Sequence, residues 1–417
     1  MIAPTVYGDR LRQARILRLE KLGNVAAVLG CTSSALSKWE RADEVSISPV
    51  QLDRLTDFLR FPSDFFTRPP AAPITDSDLL FRAPKSTLKR EKDFLREFMR
   101  FTGELIEWLD ERRRLPPVKV RTQRPGSISI TGAARELRED LGLHPEEPID
   151  YLTHPVERAG IVVVVRRRQL GEGLEESDYS SAQRERHEGC SAWIGEFRER
   201  PLIVMRSVQT WEKTRWVLSH ELGHLVLHAG RMPVSEHAEE EASRFASELL
   251  APINAITREL PRTITLAALV GIKLKWGISL SALIRHLHAN NVISDRRKQT
   301  LYAQLYARKN PETGRTYGVT EPGWDARTPE RPRLIAAWLS RAVGNVIPEA
   351  VAASSKIWPP DLLSEIITEQ RPAPRASMMI HERTPAATGD GKVITLPLRR
   401  MASGGFDIPS DQKRNST

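Results

Sequence analysis

One stretch constrains this chain more than any other: Trp216-Val217-Leu218-Ser219-His220-Glu221-Leu222-Gly223-His224-Leu225-Val226-Leu227-His228. It contains H-E-x-x-H, in which two histidines four residues apart stack on one face of an α-helix and can bind one metal ion. Glu221 falls about 100° further round, close enough to polarise water on such an ion without being a ligand itself. Leu218, Leu222, Leu225 and Val226 take the opposite face, so the spacing predicts a helix with an apolar back and a reactive front.

Two histidines do not close a zinc site; a catalytic one takes a third protein ligand and keeps a position open. The metzincin spacing fails, because Leu227 and Gly230 stand where it needs Gly and His. The next predicted helix covers 236–250, with a cap near Ser235 and a stop at Pro252. On it Glu239 shares a stripe with Ala242, Ser243, Ala246 and Leu250, whereas Glu240, Glu241 and Glu248 fall with Arg244 on the side expected to face solvent. A carboxylate on an apolar face is costly unless it is paired or bound to metal. Glu239 is therefore the expected third ligand, with Glu241 and His237 as weaker alternatives. His228, one more four-residue step along, is expected either behind the ligands or beside a substrate.

Around this stretch the pattern is mixed α/β from about residue 118. The run Gly160-Ile161-Val162-Val163-Val164-Val165 reads as a buried strand, and Cys190-Ser191-Ala192-Trp193-Ile194 and Pro201-Leu202-Ile203-Val204-Met205 as two shorter ones. Helices are predicted over 133–143 and at 155–159. Arg166-Arg167-Arg168 reads as a solvated strand end. Upstream, 69–117 combines a Pro/Ala linker with a long helix over about 88–114. Its stripe of Phe94, Leu95, Phe98, Phe101, Leu105, Ile106 and Leu109 would pack on the next domain or pair with a second chain.

Residues 1–68 read as a small helical domain. A helix over about 23–29 ends at Gly30, and Thr32 or Ser33 can cap the next, over 34–41. That leaves Ser33, Ser34, Ser37 and Lys38 outward: short polar groups and one cation, as a helix entering a major groove needs. The net charge of +9 permits a nucleic-acid partner. No run of about 18 apolar residues occurs, Met1-Ile2-Ala3-Pro4-Thr5 shows no export signal, and two cysteines build no disulfide framework. A cytoplasmic protein without a membrane partner is expected.

Two resemblances follow from these motifs. Leu29-Gly30-Cys31-Thr32-Ser33-Ser34-Ala35-Leu36-Ser37-Lys38-Trp39-Glu40-Arg41 resembles the Cro/C1-type (XRE) helix-turn-helix family, although Lys21-Leu22 stand where members usually carry Thr-Gln. The strands above, then His220 to His228, then Glu239-x-x-Ala242-x-x-Phe245-Ala246-x-Glu248-Leu249-Leu250-Ala251-Pro252 resemble the ImmA/IrrE family of zinc metallopeptidases. Family members carry Asn or Asp where Ser243 stands, a place that orients a ligand histidine. The resemblance implies a multidomain, mainly α protein with an α+β core. A helix-turn-helix at 1–68 would be followed by a zincin-like domain at 118–258 and a helical subdomain at 259–325. Beyond it the resemblance fades, and composition alone reads residues 326–417 as poorly defined, with helices near 334–342 and 362–369 and disorder over 372–391 and 401–417. The resemblance further implies Zn2+ on His220, His224 and Glu239, with Glu221 and His228 in catalysis. The partners would be an operator in double-stranded DNA and a protein substrate, a helix-turn-helix repressor, whose cleavage relieves repression of stress or mobile-element genes. A transcription factor that uses the same fold only to sense a ligand or partner is the alternative.

Overall fold

The computed structural model describes residues 4–75, 78–80, 89–123, 128–166, 188–230 and 235–370. In chain order these form β1 (Thr5–Tyr7), α1 (Gly8–Leu17), α2 (Leu22–Leu29), α3 (Ser33–Trp39), β2 (Glu44–Ser46), α4 (Pro49–Leu59), α5 (Ser63–Thr67), β3 (Leu79–Leu80) and α6 (Lys89–Arg112). There follow α7 (Ile130–Asp140), α8 (Thr153–Arg158), β4 (Val162–Val165), β5 (Gly189–Ile194), β6 (Arg200–Met205), α9 (Trp211–Leu227) and α10 (Glu236–Leu250). The last are α11 (Ile253–Glu259), α12 (Leu266–Trp276), α13 (Leu280–Ala289), α14 (Asp295–Ala307), α15 (Leu334–Val343), α16 (Pro348–Ser355) and α17 (Pro360–Ile367).

In the N-terminal part Gly30 closes α2 in the left-handed region at φ 67°, and the Thr32 hydroxyl caps α3 by accepting from the Ala35 amide. A small helical domain is expected above, but this part is not all helical. β1 and β2 pair antiparallel, Val6 against Val45, and bury Val6 completely. Three-residue strands are too short to leave a period-2 signal, so the sequence pattern does not announce them.

The four-stranded sheet has the order β3-β5-β6-β4, with β4 and β6 parallel and the other pairs antiparallel. Its edge strand β3 comes from the segment read above as linker. Because successive side chains alternate, the sheet is apolar on both faces. Val162, Val164, Cys190, Ala192, Ile194, Leu202 and Val204 pack in one core with α6 and with α15 to α17. Val163, Val165, Ile203 and Met205 pack in another with α7 to α10. Arg166 contradicts the solvated strand end: its side chain is buried, because Phe94 of α6 lies over the guanidinium with its ring centroid 5.4 Å away. Arg167 and Arg168 lie outside the described residues.

The apolar stripe of α6 is spent within the chain. Its seven members are at most 5% exposed, in one core with α1, α5 and α15 to α17, so this face is not open to a second chain. The buried Arg10–Glu104 ion pair, at 2.7 Å, ties α1 to α6. The chain beyond residue 325 is also built in: α15 to α17 cover α6 and β4, and α16 had no counterpart in the sequence reading. The stretches expected to be disordered, 372–391 and 401–417, lie outside the described residues.

Helices α11 to α14 form a third core around Leu269, Trp276, Leu283 and Leu301. Among the described residues no single helix is long and apolar enough to cross a membrane.

Candidate functional site

α9 is anchored before it is reactive. The Thr210 hydroxyl caps it, and Leu218, Leu222, Leu225 and Val226 are all buried against the sheet and α10. Full burial of such side chains contributes about 1.5–3 kcal/mol each, so the helix cannot roll cheaply. Gly223 faces α10: a Cβ there would stand 3.1 Å from the Ala242 Cα and 3.1 Å from the Phe245 ring. That close approach brings Glu239, one turn before Ala242, over the two histidines.

The three groups meet. His220 Nε2 lies 3.2 Å from Glu239 Oε2, His224 Nε2 lies 3.4 Å from Glu239 Oε1, and the two Nε2 atoms are 3.2 Å apart. They form a cluster of His220, His224 and Glu239 that could hold a metal ion. Tetrahedral zinc with bonds of about 2.0–2.2 Å separates its ligand atoms by about 3.3–3.6 Å, so these donors fit such an ion with little movement. Burial alone would raise the Glu239 carboxyl. The hydrogen bonds and charges of His220 and His224 together outweigh it and hold the group below the ordinary carboxylate range, as a donor of negative charge should be.

Both imidazoles turn Nε2 inward and give Nδ1 to the protein. His224 Nδ1 is 3.0 Å from His228 Nδ1, and His228 Nε2 is 3.1 Å from Glu241 Oε2. Ser243 Oγ is 3.4 Å from His220 Nδ1, at the place read above as orienting a ligand. Trp216 stacks on the His220 ring at 5.2 Å. His228 is 1% exposed and engaged at both ring nitrogens, so its place is behind His224 rather than beside a substrate.

Glu221 is buried against β5. The Ser191 hydroxyl donates to its Oε2 at 2.8 Å, and Gly189 leaves the room that Oε1 fills. Burial pushes its carboxyl up, while His224, His220 and the Ser191 hydrogen bond pull the other way. Neither Ser191 nor Gly189 is singled out by the sequence pattern; the only signal available is the place of Ser191 in the strand expected over 190–194, and Gly189 lies just before it.

Two of the acids expected in solvent are elsewhere. Glu240 is exposed, but Glu241 is half-buried against His228, and Glu248 is buried. Glu248 accepts from the Ile253 amide and lies 3.4 Å from His286 on α13; burial pushes its carboxyl up to about 7. A helical wheel of α10 alone cannot register that α13 covers its far side. His237 is exposed and lies 3.6 Å from Glu241, away from the donor cluster.

At the other end of the chain, Ser33, Ser34 and Lys38 are exposed on α3 and Ser37 is half-exposed, its carbonyl accepting from Arg41 Nε.

Residues 156–288 match the family model of the IrrE N-terminal-like domain, Peptidase_M78. The match to the IrrE N-terminal-like domain runs from α8 to α13 and contains the helix pair, the three donors and Glu221. It leaves out α1 to α7 and α14 to α17. No curated protein matches the chain.

Proposed function

We propose that the chain is a DNA-binding regulator whose IrrE N-terminal-like domain is a zinc-dependent peptidase acting on a protein substrate. The observation that supports it most is the triangle of His220, His224 and Glu239, with one buried carboxylate, Glu221, beside it. Zinc bound by the three donors would supply a Lewis acid that acidifies water and polarises a peptide carbonyl.

The chain's own groups do the rest. His224 Nδ1–H donates to His228 Nδ1, and His228 Nε2–H donates to Glu241, which fixes the tautomer that leaves His224 Nε2 free to bind metal. Ser191 holds Oε2 of Glu221, so the carboxylate has one oriented oxygen left to take the proton of the attacking water. Glu221 then returns that proton to the leaving amine, which balances hydrolysis of one amide bond. Burial raises the Glu221 carboxyl above the ordinary carboxylate range, the direction that makes it a better proton acceptor from water.

The DNA-binding half of the reading draws on α2 and α3, joined through Gly30 and the Thr32 cap with Ser33, Ser34, Ser37 and Lys38 at the outer face. The substrate favoured is a repressor of helix-turn-helix type, as the family resemblance implies. The test is incubation of the zinc-loaded protein with purified helix-turn-helix repressors from the same genome. Cleavage that disappears in Glu221→Gln is expected; equal cleavage by parent and variant would remove the reading.

A further inference from the structure

We infer that the cavity bounded by α8, the first turn of α9 and residues 327–333 is a binding site for a mononucleotide, a phosphate monoester joined to a planar ring. It shares no residue with the donor cluster, so it stands apart from the peptidase reading above.

The cavity measures about 530 Å³, within the range of sites that enclose a small ligand. Arg327, Arg331 and Arg333 line it. Their acidic neighbours do not match all three. Asp150 lies 3.7 Å from Arg327 and Glu369 pairs with Arg331, while the Arg333 side chain is exposed and donates no hydrogen bond among the described residues. A deeper charge adds to these. Arg215, 1% exposed, has no hydrogen-bond partner at any guanidinium nitrogen among the described residues. Its guanidinium carbon is 4.3 Å from the Trp211 ring centroid and that of Arg327 is 4.5 Å from the same centroid, so one indole on the cavity wall serves both cations. Burial pulls Arg215 down to about 10, and first among the charges it meets are those of Glu330, Arg327 and Asp150, all on the cavity wall. A buried cation without a bonded counter-charge is costly, and it keeps the potential of the adjoining space positive.

The remaining walls describe the rest of the ligand. A phosphate monoester brings a charge of about −1.5 to −2 and oxygens that fit the arginine fork. Beside the arginines, Tyr151 is 66% exposed and stacks on His154 with ring centroids 6.2 Å apart, which leaves much of the phenol ring open to a planar guest. Glu330 supplies an acceptor. Its Oε2 accepts from the Leu152 and Thr153 amides, while Oε1 is buried with no hydrogen-bond partner among the described residues. A hydroxyl or amino group on the ligand would satisfy it. Inorganic phosphate offers charge without a ring, and a nucleoside offers ring and donors without charge; a mononucleotide joins them. Trp211 and Arg215 belong to α9, so such a ligand would brace the first turn of the helix that carries His220 and His224.

The test is isothermal titration calorimetry on the full chain in EDTA, with the common ribonucleoside monophosphates, their nucleosides and inorganic phosphate as probes. One or more monophosphates should bind about tenfold more tightly than phosphate and than the matching nucleoside. Arg333→Ala should weaken that binding about tenfold, and Tyr151→Ala by about as much. Both side chains are exposed, so melting should stay as in the parent. Asp150→Asn releases Arg327 from its acid and should tighten binding about threefold, a gain that damage to the fold does not produce. Arg215→Met, an apolar replacement of a kind buried charges often tolerate, should weaken binding about threefold; should it not fold, the three surface variants decide. Phosphate bound as tightly as every monophosphate, no probe bound at millimolar concentration, or affinities unchanged in Arg333→Ala and Tyr151→Ala would overturn the inference. A chain that binds a nucleotide but cleaves no repressor loses only the peptidase reading.

Discussion

Oε1 of Glu221 occupies the space that a side chain at residue 189 would need: a Cβ on Gly189 would lie 2.8 Å from it. The strand beside the helix therefore sets the position of the buried carboxylate as firmly as the helix does. Gly189→Ala pushes against Oε1, Cγ and Cδ of a buried side chain that Ser191 also holds. Its cost in stability should be about 1–3 kcal/mol, while a carboxylate displaced by about an ångström loses on the order of 10²-fold in peptide hydrolysis. Melting and cleavage measured on the same preparation check this; a variant with parental hydrolysis would show that Glu221 has no fixed place.

Glu221→Gln keeps the volume and the Ser191 contact but cannot carry a proton. Hydrolysis should fall by about 10²- to 10⁴-fold, the usual range for a lost general base. Metal content should stay at the parental value, because Glu221 is not among the three donors. A variant that also loses its metal would make Glu221 a ligand instead.

Glu157 on α8 accepts from the amides of Arg333 and Leu334 at the start of α15, and burial pushes its carboxyl up to about 7 from 4.5. Between these values the folded chain keeps a proton that the unfolded chain releases. The stabilising share is thus full below about pH 4.5 and is lost as pH rises through 7, a difference of about 3 kcal/mol. Glu157→Gln still accepts from both amides and does not titrate. Urea midpoints followed over roughly pH 5 to 8 should fall more steeply for the parent than for the variant; parallel slopes would contradict the assignment.

On α3, Lys38 is exposed, and the proposed DNA-binding role would pair it with a phosphate. Lys38→Ala should weaken binding to every sequence alike and reduce the salt slope by about 1, whereas Ser34→Ala should alter preference among sequences. Binding measured across salt concentrations on specific and random duplexes separates the two. Deleting residues 1–70 is a poorer test, because it strips Glu104 of its buried partner Arg10.

What the sequence made legible was whatever depends on one helix at a time. The four-residue step of His220 and His224 and the stripe that turns Glu239 inward are periodic facts, and the structure brings those three side chains together. The donors' supports were less readable, because they come from elements distant in the chain. Ser191 and Gly189 reach Glu221 only after β5 has paired with β6, and Glu248 is buried only because α13 lies over it. β3 is two residues long and sits in a segment whose composition reads as linker, so neither its pairing nor its closeness to Ser191 has a local signal. The stripe of α6 was plain, but periodicity cannot tell a face that packs on α1 and α15 from one that meets another molecule.

The central claim is that His220, His224 and Glu239 together hold one divalent ion. Metal content by mass spectrometry of the parent, His224→Ala and Glu239→Ala, each dialysed against dilute zinc, tests it most directly. One zinc per chain in the parent is expected, with its loss in both variants while their circular dichroism stays unchanged. A parent that retains no zinc, or variants that keep a full equivalent, would contradict it.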